Sequence, residues 1–286
     1  MSNTTHIPTP VTTADRVSTS PGVSTPTHRR PVRLRDVVRG EWIKFRSVRS
    51  TRWTLVVAGV VTVAFGMIFA ATAGSGEAPG AAARLTGPVE LSLGAIDLSA
   101  MIVGVLGVLL VAGEYATGLI RTTLAAVGDR LSVLAAKAVV LAGGAAIVMA
   151  IAAALALWLG QAVYSGDQAT LSMNDADTLR ILLGTTAYVT GIGLIGIALG
   201  AIVRSTASAI AILVGAIFIG PPLLNLLPEF FSDVVLKYLP SEAGSAMMSS
   251  VSDTDLLSTP VAWAVFAAWV VGFLVVAGVL LRTRDA

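Results

Sequence analysis

Cysteine is absent from the 286 residues, which excludes disulfides, thiolate metal sites and cysteine nucleophiles. Histidine is almost absent too. His6 and His28 both lie in the polar N-terminal stretch, so imidazole chemistry is excluded from the apolar remainder. No G-x-x-x-x-G-K-[ST] run occurs, and no glycine-rich turn links a strand to a helix, so the chain has no nucleotide-binding motif of its own. Charge is scarce: 13% of residues are charged and 55% are hydrophobic, against about 25% and 45–50% in soluble domains. The mean hydropathy of +0.82 points the same way. A helix needs about 20 apolar residues to cross a hydrocarbon layer of about 30 Å, so the chain has length for about six crossings and modest connections. No room is left for a separate soluble catalytic domain.

What is present is strongly ordered along the chain. Residues 1–28 are dense in Ser, Thr and Pro and read as a disordered tail, because they have too little apolar surface to offset the entropy of ordering. Residues 29–52 interleave Arg29, Arg30, Arg33, Arg35, Arg39, Lys44, Arg46, Arg49 and Arg52 with Leu34, Val37, Val38, Trp42, Phe45 and Val48 at helical spacing. A basic face beside an apolar stripe predicts a helix lying in the headgroup layer. Six apolar segments long enough to span follow over 53–286, at Trp53–Ala73, Ser92–Ala112, Ala138–Gly160, Leu179–Val203, Ser208–Pro228 and Val261–Leu281. The first is too long for a secretory signal and reads as an uncleaved anchor.

Of the 19 Lys and Arg residues, all but Arg84, Arg180 and Lys237 fall in the N-terminal stretch, the second and fourth connections or the C-terminal end. The positive-inside rule therefore places both termini in the cytoplasm. The second connection, Gly113 to Lys137, is too polar at its ends for membrane core and too apolar between Leu119 and Val127 for a solvated linker. Gly113 and Gly118 allow chain reversal, and Leu119, Ile120, Leu124 and Val127 are expected on one face of a short helix. That pattern fits a surface helix offered to a partner and equally an interfacial connector.

The pairing of EWIKFRSVRSTRWTL (Glu41–Leu55) before the first span with GEYATGLIRTTLAAV (Gly113–Val127) after the second resembles the membrane (permease) subunit of type 2 ABC exporters. LGAIVRSTASAIAI (Leu199–Ile212) and YLPSEAG (Tyr238–Gly244) are similar to that family as well, so the likeness runs from Val32 onward. The resemblance implies an all-α integral membrane protein: six transmembrane helices, an N-terminal amphipathic interfacial elbow, a cytoplasmic coupling helix between spans 2 and 3, and short outer-leaflet helices between spans 5 and 6. It implies a bacterial plasma membrane location and a translocation path formed by two permease subunits, as a homodimer or heterodimer. A separate cytoplasmic ABC ATPase would bind ATP and Mg, leaving no cofactor and no enzymatic activity in this chain and no role for nucleic acid.

Carried over by position, the elbow residues are Glu41, Trp42, Lys44, Phe45 and Arg46, and the ATPase-coupling residues are Glu114, Tyr115, Thr117, Gly118, Ile120 and Arg121. Glu114 and Arg121 are expected to act as charged handles for the partner. Since the family's first and fifth spans line the path, Thr62, Phe65, Phe69, Phe218 and Asn225 are the corresponding cavity candidates.

Three further features stand apart. Asp97 is the one acid inside an apolar segment, near enough to its outer end to reach headgroup water or occupy the first helical turn. Pro221 and Pro222 interrupt the fifth span, and Ser205, Thr206 and Ser208 offer a cap at its start. Gly196 and Gly200 in the fourth span have the spacing of close helix approach, within one chain or between two. A membrane protease is disfavoured because membrane His and paired acids are lacking. A secondary transporter, or a non-transporting anchor for a regulatory partner, is the alternative reading.

Overall fold

The computed structural model describes residues 33–73, 92–127, 129–163, 176–224, 226, 235–249 and 257–283; the expected tail over 1–28 and the candidate Asn225 lie outside them. In chain order the helices are α1 (Leu34–Ser47), α2 (Arg49–Ala73), α3 (Ile96–Ala116), α4 (Leu119–Val127), α5 (Arg130–Val163), α6 (Ala176–Val203), α7 (Thr206–Leu224), α8 (Pro240–Met248) and α9 (Thr259–Thr283). No strand occurs among the described residues. The helices α2, α3, α5, α6, α7 and α9 are each long and apolar enough to cross a membrane, which makes this a multi-pass membrane protein.

The core is built where α3 crosses α6, the most extensive helix pair in the fold. Glycine permits it. A Cβ on Gly107 would collide with the Gly193 carbonyl, and one on Gly196 with the Gly104 carbonyl, so the two backbones touch directly. The Gly196/Gly200 spacing is thus used inside the chain, against α3. In the most apolar stretch of α6, 67% of residues are buried; the corresponding share is 22% in α7 and 17% in α9, which leave broad apolar faces open. On the flank, α2 packs against α5 and α3, with Thr62 Oγ1 2.7 Å from Ser99 Oγ and both hydroxyls 3.0 Å from the Ala58 carbonyl.

Two helices differ most from expectation, α5 in its limits and α7 in its regularity. The third span was expected over Ala138–Gly160, but α5 runs from Arg130 for 34 residues, about 51 Å. Lys137 does not end it, because its charge is neutralised inside the bundle. In α7, Gly215–Ile219 widens into a π turn, and the Gly220 N–H bonds back to Gly215. Pro221 and Pro222 have no N–H to offer the carbonyls of Ile217 and Phe218, and the wider turn absorbs that mismatch, so the helix continues through Leu224. The expected side-chain cap at the start of α7 does not form: Ser205 sits at the N-cap, but its hydroxyl pairs with Ser208 Oγ at 3.2 Å.

At the end of the bundle where α6 begins, Arg180 joins three helices, donating to Thr259 Oγ1 (2.8 Å) and to the Ser249 carbonyl (2.9 Å). Here α8 lies on α6 and α9, and Gly244 meets the Tyr188 ring so closely that a Cβ would collide with it. Asp97 occupies the first turn of α3 as expected, yet its carboxylate turns inward to accept a hydrogen bond from Tyr188 Oη at 2.7 Å.

Candidate functional site

The first helix is amphipathic in an unexpected way. Val37, Glu41 and Phe45 recur every four residues and are all buried against α5, so an acid occupies the middle of the apolar stripe. Phe45 settles over Gly144, whose missing side chain makes the space: a Cβ there would come within 2.8 Å of the ring. The chain then leaves the helix at Val48, which adopts extended backbone (φ −77°, ψ 111°) before α2 begins.

Glu41 is buried because a cation waits for it. Lys137, on α5 and only 5% exposed, donates to Glu41 Oε2 at 2.8 Å and to Glu114 Oε1, in the last turn of α3, at 2.7 Å. Lys44, half exposed, closes the ring from the outside, 2.8 Å from Glu41 and 3.5 Å from Glu114. Two carboxylates and two ammoniums thus form a neutral cluster that joins α1, α3 and α5. Burial alone would push the Glu41 carboxyl up, but Lys137 and Lys44 hold it below its ordinary value. Burial would likewise lower Lys44, and the two glutamates raise it instead. Such a cluster contributes little net stability over an apolar equivalent, but removing one member leaves an uncompensated buried charge.

The segment after α3 is fixed by backbone geometry and by a neighbouring corner. Gly118 has φ +73°, the left-handed conformation that ends α3 and turns the chain into α4. Gly113, by contrast, lies within α3 and takes no part in the reversal. The Arg204 guanidinium, at the corner between α6 and α7, stands 5.2 Å above the Tyr115 ring, a cation–π contact that fixes this end of α3 to that corner.

The expected site residues therefore divide. Exposed at this end are Trp42, Lys44, Arg46, Thr117, Gly118 and Leu119, whereas Glu41, Phe45 and Ile120 are buried. Glu114, expected as a free handle, is 15% exposed and engaged with two lysines of its own chain. Leu119 is 56% exposed and its neighbour Ile120 is 7% exposed. Arg121 lies on α4. Among the cavity candidates, Thr62 is 1% exposed and bonded to Ser99, so it does not line an open surface of this chain. Phe65 and Phe218 remain exposed, at 38% and 37%, and Phe69 stands edge-on to Phe65 with ring centroids 6.0 Å apart.

Lys137 was the residue sequence reasoning missed. Its signal was there: an isolated cation in SVLAAKAVVLA, two turns inside an apolar helix, with unpaired acids at Glu41 and Glu114 on the same end of the bundle. A scan against protein-family models finds none that matches this chain, and a search of curated proteins also finds no match.

Proposed function

We propose that this chain is the membrane-spanning permease subunit of an ATP-driven exporter of the type 2 ABC kind, located in a bacterial plasma membrane. Two permease subunits would form the path, and a separate cytoplasmic ATPase would bind ATP and Mg and supply the motion. In this reading α1 is the interfacial elbow, α4 is the coupling helix facing the cytoplasm, and α8 dips into the outer leaflet. The open faces of α2 and α7, with Phe65, Phe69 and Phe218, border the path between subunits.

The observation that carries the reading is the cluster of Glu41, Lys137, Glu114 and Lys44. An external motor needs a stiff element to push. The cluster makes α1, the end of α3 and the start of α5 one unit, with α4 connecting the latter two at its edge. The exposed residues around it, Trp42, Arg46, Thr117 and Leu119, offer the mixed apolar and polar surface that a transient partner can grip. For a push to be transmitted, the partner must bind this surface differently in its two nucleotide states.

The test is to co-purify the chain with ATPases encoded beside it and to measure ATP hydrolysis and substrate flux in liposomes. Leu119→Asp and Arg121→Glu, both on α4, are expected to weaken assembly or uncouple hydrolysis from flux. Unchanged assembly and turnover in both variants would refute the coupling role. Uphill flux by the purified chain alone would replace the reading with secondary transport.

A further inference from the structure

A cleft of about 800 Å³ opens beside the ion cluster, between α1, the first turns of α2, the last turns of α3, and α4. That volume falls among small-ligand pockets, which span about 300–1,000 Å³. Its two halves differ in chemistry. One wall is Leu106, Leu109 and Leu110 on α3, and Leu109 is left 45% exposed although α3 is otherwise a core helix. The other half is ringed by hydroxyls and by the charges of the cluster.

The hydroxyl protons of four lining threonines are already committed. Thr54 donates to the Ser50 carbonyl, Thr117 to Gly113, and Thr122 and Thr123 both to Leu119, at 2.8–3.2 Å. What these side chains still offer is lone pairs. Glu114, which also lines the cleft, adds a carboxylate to this half. The polar half is therefore rich in acceptors and calls for a ligand with N–H donors. The cluster is neutral overall, so a ligand bearing one compensated pair of charges matches it better than a net ion. A place for the negative half is also present: Lys44 is half exposed, and Ser50 and Thr51 line the cleft in the first turn of α2, where backbone N–H groups lack helical partners.

From this we propose that the cleft binds one membrane phospholipid whose headgroup carries a primary ammonium, as in phosphatidylethanolamine. The ammonium would lie among the threonine hydroxyls and Glu114, the phosphodiester near Lys44 and the start of α2, and one acyl chain along the leucine wall. The remaining chain stays in the bilayer, because the cleft spans the change from polar to apolar lining. The site is independent of the transport reading, and its test uses no ATPase.

Delipidated protein in detergent is titrated with phosphatidylethanolamine, phosphatidylcholine and phosphatidylglycerol, with bound lipid counted by native mass spectrometry. Phosphatidylethanolamine is expected to bind about tenfold more tightly than phosphatidylcholine, whose quaternary ammonium has no N–H to donate. Leu109→Trp, filling the cleft from a half-exposed position, is expected to abolish the difference. Thr123→Val, which removes one acceptor without changing shape, is expected to reduce it. Equal retention of all three lipids, a preference for phosphatidylglycerol, or unchanged selectivity in both variants would overturn the proposal. Equally tight binding of phosphoethanolamine without acyl chains would overturn the lipid assignment.

Discussion

Replacing Lys137 with Met removes the cation at the centre of the cluster while keeping an unbranched, apolar side chain of similar length. Lys137 is 5% exposed, and its carboxylate partners Glu41 and Glu114 are 9% and 15% exposed, so the loss falls on groups shielded from water. Stranding buried charge in this way costs about 3–5 kcal/mol. Lys44 can recover about 0–1 kcal/mol, since it is half exposed and water competes for it. The net expectation is about 3 kcal/mol, concentrated where α1 meets α5. Denaturant unfolding in mixed micelles measures the energy, and paired spin labels measure the position of α1. The absence of native cysteine makes the labelling clean, with single cysteines at the exposed Arg39 on α1 and Val139 on α5. Lys137→Met is expected to broaden the distance distribution, and adding Glu41→Gln and Glu114→Gln to restore most of the lost stability. A loss below about 1 kcal/mol with an unchanged distance, or no recovery in the triple variant, would refute the argument.

The same joint should respond to packing and to pH. Gly144→Ala places a Cβ within 2.8 Å of the Phe45 ring and is expected to cost about 1–3 kcal/mol, with recovery when Phe45→Leu is added; Gly272→Ala, with nothing within 4 Å, is the control for both measurements. Gly196→Ala meets the Gly104 carbonyl, a backbone group with less freedom to yield, so its thermal midpoint should fall further than that of Gly144→Ala. Because Glu41 is held below its ordinary value of 4.5, its contribution is complete above that pH and is lost as pH falls through the lowered value; the α1 to α5 label distance should broaden only in acid. Glu242 has the opposite sign. Burial, and then Asp97, push its carboxyl above 4.5, so its ionisation opposes folding as pH rises, and Glu242→Gln should be more stabilising at pH 8 than at pH 4 by thermal unfolding.

The six long apolar helices were legible because each is a run of about 20 or more residues whose length alone decides the matter. The limits of α5 were not. A lysine in an apolar run ordinarily marks the edge of a span, and only the two acids from α1 and α3 permit Lys137 to stand inside. Glu41 was legible as an elbow residue but its burial was not, for a related reason: periodicity sorts apolar from polar residues and has no way to assign an acid to the buried face. Gly118 was legible as a turn, since a left-handed position favours glycine. The glycine spacing at 196 and 200 showed that something approaches closely, and the partner, α3, is a tertiary fact.

The ties within the bundle are uneven, and the unevenness bears on how the proposed permease would move. At the elbow end an ion cluster joins α1, α3 and α5, and Arg204 over Tyr115 fastens the corner between α6 and α7 to the same place. The α3 and α6 backbones then touch through glycine, so a displacement of α3 has no soft side chains at Gly107 and Gly196 in which to dissipate before it reaches α6. Along α7 the contacts with α3 and α6 are apolar, little of the helix is buried, and the π turn at Gly215–Ile219 interrupts its regular bonding. Apolar contacts without directional bonds can slide at small cost, whereas breaking the cluster strands charge. A push delivered at α1 and α4 is therefore expected to carry α3, α5 and α6 as one body and to change their angle to the outer part of α7. Spin labels on α3 and α6 should keep their separation when the proposed ATPase partner binds nucleotide, while the distance from α3 to Ile219 on α7 changes. Equal changes in both distances would show that the bundle deforms throughout and that the rigid body does not exist.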